Sequence, residues 1–109
     1  MLIYEVNLEV EEEISHKVAG WLLDHIQQML ENKGFKAGYW FFRRFEDEGR
    51  EPEAKTLWTI QYVIEDRADL EAYLTNKAAA TRQEAVDKFG DKMVASRRVL
   101  NLLNAIGGP

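Results

Sequence analysis

Apolar and polar side chains alternate through residues 2–10. Leu2, Tyr4, Val6, Leu8 and Val10 fall on one face, and Ile3, Glu5, Asn7 and Glu9 on the other. A period of two with β-branched and aromatic residues predicts a strand with at least one buried face. The period then changes. After Glu11-Glu12-Glu13, residues Ile14, Val18, Trp21, Leu22, His25, Ile26 and Met29 recur at spacings of three and four, and Gly34 supplies a stop. This predicts a helix over 12–32, on the order of 30 Å long, with its acidic run at the positive end of the dipole.

From Phe35 to Glu46 the aromatics return as Phe35, Tyr39, Trp40, Phe41, Phe42 and Phe45. Consecutive large residues put bulk on both faces of this second strand. Either Tyr39, Phe41 and Phe45 or Trp40 and Phe42 must therefore point away from the helices. Gly49 and Pro52 punctuate a charged loop over 46–55, and a third strand follows over 56–64. Asp66 is a suitable N-cap for a second helix. Its inward stripe is Leu70, Leu74, Ala78, Thr81 and Ala85, and Gly90 ends it. A fourth strand spans 92–102, and residues 104–109 form a loose tail.

Strand, helix, strand, strand, helix, strand is the ferredoxin-like arrangement of an α+β domain. Right-handed crossovers give the sheet order 4-1-3-2 with both helices on one face. The whole of residues 1–103 makes one domain, as 109 residues permit. Nothing in the chain covers the second face of the sheet. An aromatic side chain buries ~150–250 Å², so the surplus aromatics of strand two exceed the usual tolerated patch. Another copy is the simplest cover, which predicts a two-fold homodimer with its sheets face to face, a dimeric α/β barrel. Glu5, Asn7, Tyr39, Phe41, Arg43, Gln61 and Arg97 are the expected interface.

Charge and composition narrow the functions. Fourteen Lys/Arg against nineteen Asp/Glu give a net charge of −5, which argues against nucleic acid as a partner. Zero cysteines and two histidines exclude disulfides and Cys-based metal sites and disfavour a His-rich one, so no metal or cofactor is expected. No apolar run approaches membrane-spanning length and the start is unlike a signal peptide. These features predict a cytoplasmic protein with no membrane partner.

Two features of the helices bear on chemistry. His25 lies within ~20° of the centre of the first apolar stripe, where an imidazole must find a partner or shift its pKa downward. It is either a hydrogen-bonded core histidine or a proton donor or acceptor at a pocket. Ala78, Thr81 and Ala85 are small where Leu is expected, which permits either close helix packing or a ligand cavity. The expected lining of such a cavity is Tyr4, Trp21, His25, Trp58 or Tyr62, Tyr73 and Arg82, and its occupant a small apolar or aromatic molecule.

The segments WLLDHI, FKAGYWFFRRF and RQEAVDKFGDKMVASRRVL, set in this element order, resemble a family of short bacterial proteins of unknown function. That family is related to the dimeric α/β-barrel superfamily. The resemblance spans roughly residues 2–103 and implies the fold and dimerisation without implying an activity. Haem-degrading relatives use an Asn on the first strand, a Trp, and a His on the second helix. Asn7 and Trp58 match loosely, but the second helix has no His, so haem degradation is not expected. The leading expectation is a homodimeric structural or small-ligand-binding module. The alternative is a cofactor-independent monooxygenase- or isomerase-like enzyme acting on an aromatic or polyketide-like compound. In that case His25 is the general base, and Arg82 or Tyr73 orients the substrate.

Overall fold

A computed structural model describes residues 1–108. The four strands and the helical segments follow one another in the expected order. β1 (Leu2–Glu11) leads into α1 (Ser15–Met29), and β2 (Phe35–Arg43) pairs with β3 (Lys55–Ile64). α2 (Arg67–Asn76) and α3 (Ala78–Phe89) then return the chain to β4 (Met93–Asn101). The sheet order is β2-β3-β1-β4, and every pairing is antiparallel. This is a ferredoxin-like α+β domain.

Strand register sorts the side chains. Tyr4 pairs with Tyr62, Val6 with Ile60 and Leu8 with Trp58, and these residues turn toward the helices. Leu22, Ile26 and Met29 of α1 and Leu70 and Tyr73 of α2 join Leu2, Tyr4, Leu8, Ile60 and Tyr62 in one buried cluster. A bulge between Phe35 and Ala37 sets the phase of β2, so that Gly38 opposes Tyr62 and Trp40 opposes Ile60. Trp40 and Phe42 therefore share the helix side, while Tyr39, Phe41 and Arg43 lie on the open face. Gly38 is required where α1 crosses, because a Cβ there would lie 2.9 Å from Ile26 Cγ2.

The elements depart from the sequence pattern in four places. The first helix begins later than residue 12, because Glu12–Ile14 form a 3-10 turn. It also ends before residue 32, where Asn32 Nδ2 donates to the Met29 carbonyl at 2.9 Å. β2 stops at Arg43 rather than Glu46. A 3-10 turn over Glu46–Glu48 and Gly49 at φ 65° fold the chain back, and Phe45 sits beneath the Arg50 guanidinium at 5.0 Å. The second helix is two helices, because Lys77 leaves helical geometry at φ −131° and ψ −27°. Within α2 the buried positions are Leu70 and Tyr73, three apart, so that Tyr73 rather than Leu74 turns inward. Tyr73 is 5% exposed and Leu74 37%. Asp66 stands at the N-cap of α2 with extended backbone but makes no side-chain cap bond.

The domain is a slab of 37 × 35 × 19 Å. A sheet with one helical layer accounts for that thickness, since stacked layers sit ~10 Å apart. Its radius of gyration of 14.8 Å exceeds the ~13 Å of a compact 100-residue domain. Residues beyond β4 carry exposed apolar side chains, including Leu103 and Ile106, and Pro109 of the expected tail lies outside the described residues.

Candidate functional site

A cavity of about 340 Å³ opens between the helices and the sheet. β1 and β3 lay down its floor with Tyr4, Val6, Ile60 and Tyr62, and α1 supplies Trp21 and His25 as one wall. The opposite wall comes from Tyr73, Thr81, Arg82 and Ala85, and β4 adds Ala95 and Arg97. The space exists because α3 presents Thr81 and Ala85, and β4 presents Ala95, where larger side chains would fill the gap. Its volume falls in the ~300–1,000 Å³ range of small-molecule sites.

Three tyrosines form the inner end. Tyr4 stacks near Tyr62 with ring centroids 6.3 Å apart and tilts against Tyr73 at 6.1 Å. Arg82 donates to the Tyr4 hydroxyl at 3.2 Å. Burial pushes the Tyr62 phenol well above the ordinary tyrosine range, reinforced by Tyr73 and Tyr4. Burial also raises Tyr73, against a smaller opposing pull from Thr81 and the two arginines. Both phenols are neutral hydrogen-bonding groups at pH 7.

His25 stacks on Trp21 with ring centroids 4.7 Å apart and planes within 8°. Trp21 is itself fixed by an edge contact to Phe89 at 5.5 Å and by donation from Nε1 to Glu84 at 3.3 Å. Burial lowers the His25 pKa below its ordinary value. Glu84 opposes that shift, and the Arg97 charge adds to it. A neutral imidazole that faces a cavity can accept a proton, the chemical requirement of a general base.

Tyr4, Trp21, His25, Tyr62, Tyr73 and Arg82 thus converge on one cavity. Trp58 does not line it; its ring packs edge-on against Trp40 at 5.2 Å. Arg97 requires a correction. Expected on the open face with Glu5, it pairs in register with Val6, and Arg98 is the residue opposite Glu5. Parity along β4 decides this, since Met93, Ala95 and Arg97 share the cavity side. The small pair Ala95-Ser96 is likewise divided between the two faces, and an Arg-Arg doublet has one member on each, so the chain alone hides which is which.

The open face holds the remaining expected positions: Glu5, Asn7, Tyr39, Phe41, Arg43 and Gln61. Its centre is a polar network on the shared face of β1 and β3, as the alternation of Glu5, Asn7 and Glu9 and of Thr59 and Gln61 leads one to expect. Glu5 is only 3% exposed and accepts from Gln61 at 2.9 Å, from Asn7 at 3.0 Å and from Arg98. Asn7 in turn accepts from Thr59 at 2.6 Å and Arg43 at 3.3 Å. Burial alone would raise the Glu5 carboxyl. The donors Arg98, Asn7 and Gln61 together outweigh it and hold the acid below the usual carboxylate range. Exposed apolar groups flank the network, with Tyr39 and Phe41 on β2 and Val94 and Leu100 on β4.

Among the described residues no group of three or more His, Cys, Asp or Glu side chains is placed to hold a metal ion, and no helix is long and apolar enough to cross a membrane.

A one-layered ferredoxin-like sheet with a helix-side cavity defines the structural class, and comparison with solved structures agrees. A candidate antibiotic biosynthesis monooxygenase from Deinococcus radiodurans superposes with a TM-score of 0.73, at 12% identity over 100% of this chain and 99% of that one. A de novo designed protein, Foldit4, superposes with a TM-score of 0.60 at 11% identity, covering 94% and 98%. These likenesses concern the fold. No curated protein matches the sequence. The chain belongs to the DUF4286 family, a domain of unknown function, whose profile matches residues 1–103.

Proposed function

We propose that the protein is a homodimeric small-ligand-binding module, with the helix-side cavity as the binding site and the open sheet face as the dimer surface. The observation that carries the ligand reading is the cavity of about 340 Å³ lined by tyrosines, His25 and two arginines. An apolar enclosure with a few convergent polar groups is the usual form of such a site. Self-association is supported by the 19 Å thickness of the slab and by the exposed Tyr39, Phe41, Val94 and Leu100 around the polar network. The resemblance to dimeric α/β barrels points the same way. Analytical ultracentrifugation at micromolar concentration is expected to give twice the 12.6 kDa chain mass. A Tyr39→Glu, Phe41→Glu double variant is expected to halve it. A wild-type mass of one chain overturns the dimer. A thermal-shift screen of small aromatic compounds tests the cavity, and loss of any stabilisation in Ala85→Phe, which fills it, locates the binding.

A second reading is catalysis without a cofactor, with His25 as general base. It is favoured by one observation, the neutral imidazole facing the cavity, and it accords with the description of the Deinococcus structure as a monooxygenase. A monooxygenase- or isomerase-like reaction on an aromatic or polyketide-like compound needs a base of this kind beside the substrate. Turnover that vanishes in His25→Phe while binding persists would establish it.

A further inference from the structure

The charge of the cavity runs against the charge of the protein. The chain carries −5 overall, yet the cavity is lined by Arg82 and Arg97 and by no Asp or Glu. The acidic groups pair elsewhere: Glu5 with Arg98, Glu9 and Glu53 with Arg50, and Glu48 with Arg43. Among the described residues neither Arg82 nor Arg97 belongs to an ion pair. Glu84, beside the cavity, is engaged by the Trp21 indole.

Both cations belong to the lining, and the charge of each is felt at the Tyr73 phenol. Arg82 and Arg97 are exposed, whereas Tyr4, Leu22 and Tyr62 at the inner end are less than 4% exposed. The lining therefore combines a buried aromatic floor with two exposed cations. Arg82 uses one donor on Tyr4, and a guanidinium has five, so most of its hydrogen-bonding capacity has no partner among the described residues. Guanidinium groups match the planar geometry of a carboxylate with paired N–H donors.

We infer that the cavity takes a small monocarboxylate with an aromatic or aliphatic body, its carboxylate held by Arg82 and Arg97 and its body packed on Tyr4 and Tyr62. This rests on the reading of the cavity as a binding site and adds the chemical class of the occupant. Arg97 is the specificity-determining residue in this arrangement, since its side chain has no hydrogen-bond or ion-pair partner among the described residues. Arg82 serves both the ligand and Tyr4.

Matched pairs of probes separate the two ideas. The affinities of 2-naphthoate, 4-phenylbutyrate and decanoate are to be measured by titration calorimetry against those of their primary amides. In the wild type the carboxylate of at least one pair is expected to bind about tenfold or more tightly than its amide, the scale of one charge-assisted contact. Arg97→Gln is expected to bring the pair within about twofold, and Arg82→Gln to act similarly. The carboxylate's advantage should also shrink between 50 and 500 mM salt, as an exposed ionic contact requires. Amides that bind as well as carboxylates would overturn the anion preference and leave the cavity as a binding site. No binding by any member of the three pairs at millimolar concentration would overturn both. A carboxylate preference that persists in Arg82→Gln, Arg97→Gln and the double variant would overturn the assignment to these residues.

Discussion

The carboxylate of Glu5 is the most instructive side chain to remove. It lies on the uncovered face of the sheet and is nevertheless 3% exposed, because its own network covers it. Three donor side chains reach it, and they are not equivalent. Arg98 is 64% exposed in its side chain, so its ion pair is largely repaid by water when broken. Gln61 and Asn7, at 2.9 and 3.0 Å, are held in place by the strands. Hydrogen bonds to a charged acceptor contribute about 1.5 kcal/mol each at the lower end of their range. Glu5→Ala is therefore expected to cost about 3 kcal/mol, and Arg98→Ala clearly less, because water takes over its exposed charge. Urea denaturation at a single protein concentration and pH 7 measures both. The acid dependence gives a second check. The folded-state pKa of Glu5 is lowered, so its contribution is complete above the unfolded value of ~4.3 and is lost as pH falls through the lower folded value. The stability gap between wild type and Glu5→Ala should thus narrow below pH ~4. If Arg98→Ala costs as much as Glu5→Ala at pH 7, or the gap is flat with pH, the reasoning fails.

Gly34→Ala should be strongly destabilising, because φ is +81° and the new Cβ would collide with the Asp69 side chain. A loss of about 2 kcal/mol corresponds to a Tm roughly 10 °C lower, and an unchanged Tm would refute it. His25→Phe should keep the stack on Trp21 and fold within ~1 kcal/mol of wild type at pH 7. Because the His25 pKa is lowered in the folded state, the wild type should lose stability as pH falls from ~6.5 toward the folded value, and the variant should lack that component. Proton NMR of the imidazole gives the titration directly. In an alkaline spectrophotometric titration, Tyr62 and Tyr73 should ionise above the ordinary tyrosine range, and denaturation should restore them. Stability should correspondingly decline as pH rises past ~10.

Much of the fold was legible locally. The alternation of Leu2, Tyr4, Val6, Leu8 and Val10 set both the strand and its inward face, and the stripe from Val18 to Met29 did the same for α1. Element order and the handedness of crossovers then sufficed for the sheet order. The small residues Thr81 and Ala85 marked a place where packing had two solutions, and His25 and Tyr4 were identifiable as neighbours of that place. Other features depended on contacts distant in sequence. The bulge at Lys36 decides which aromatics of β2 face the helices, and no local pattern contains it. The break at Lys77 has no marker in the local pattern, which runs on from Leu70 to Ala85 at helical spacing. Arg97 and Arg98 are indistinguishable in the chain, and pairing with Val6 and Glu5 separates them. Side-chain period fixes which residues share a face, because it is a property of the backbone alone. Which face meets which partner, and whether a gap is closed or left open, depends on register and curvature, and these exist only once the strands have paired.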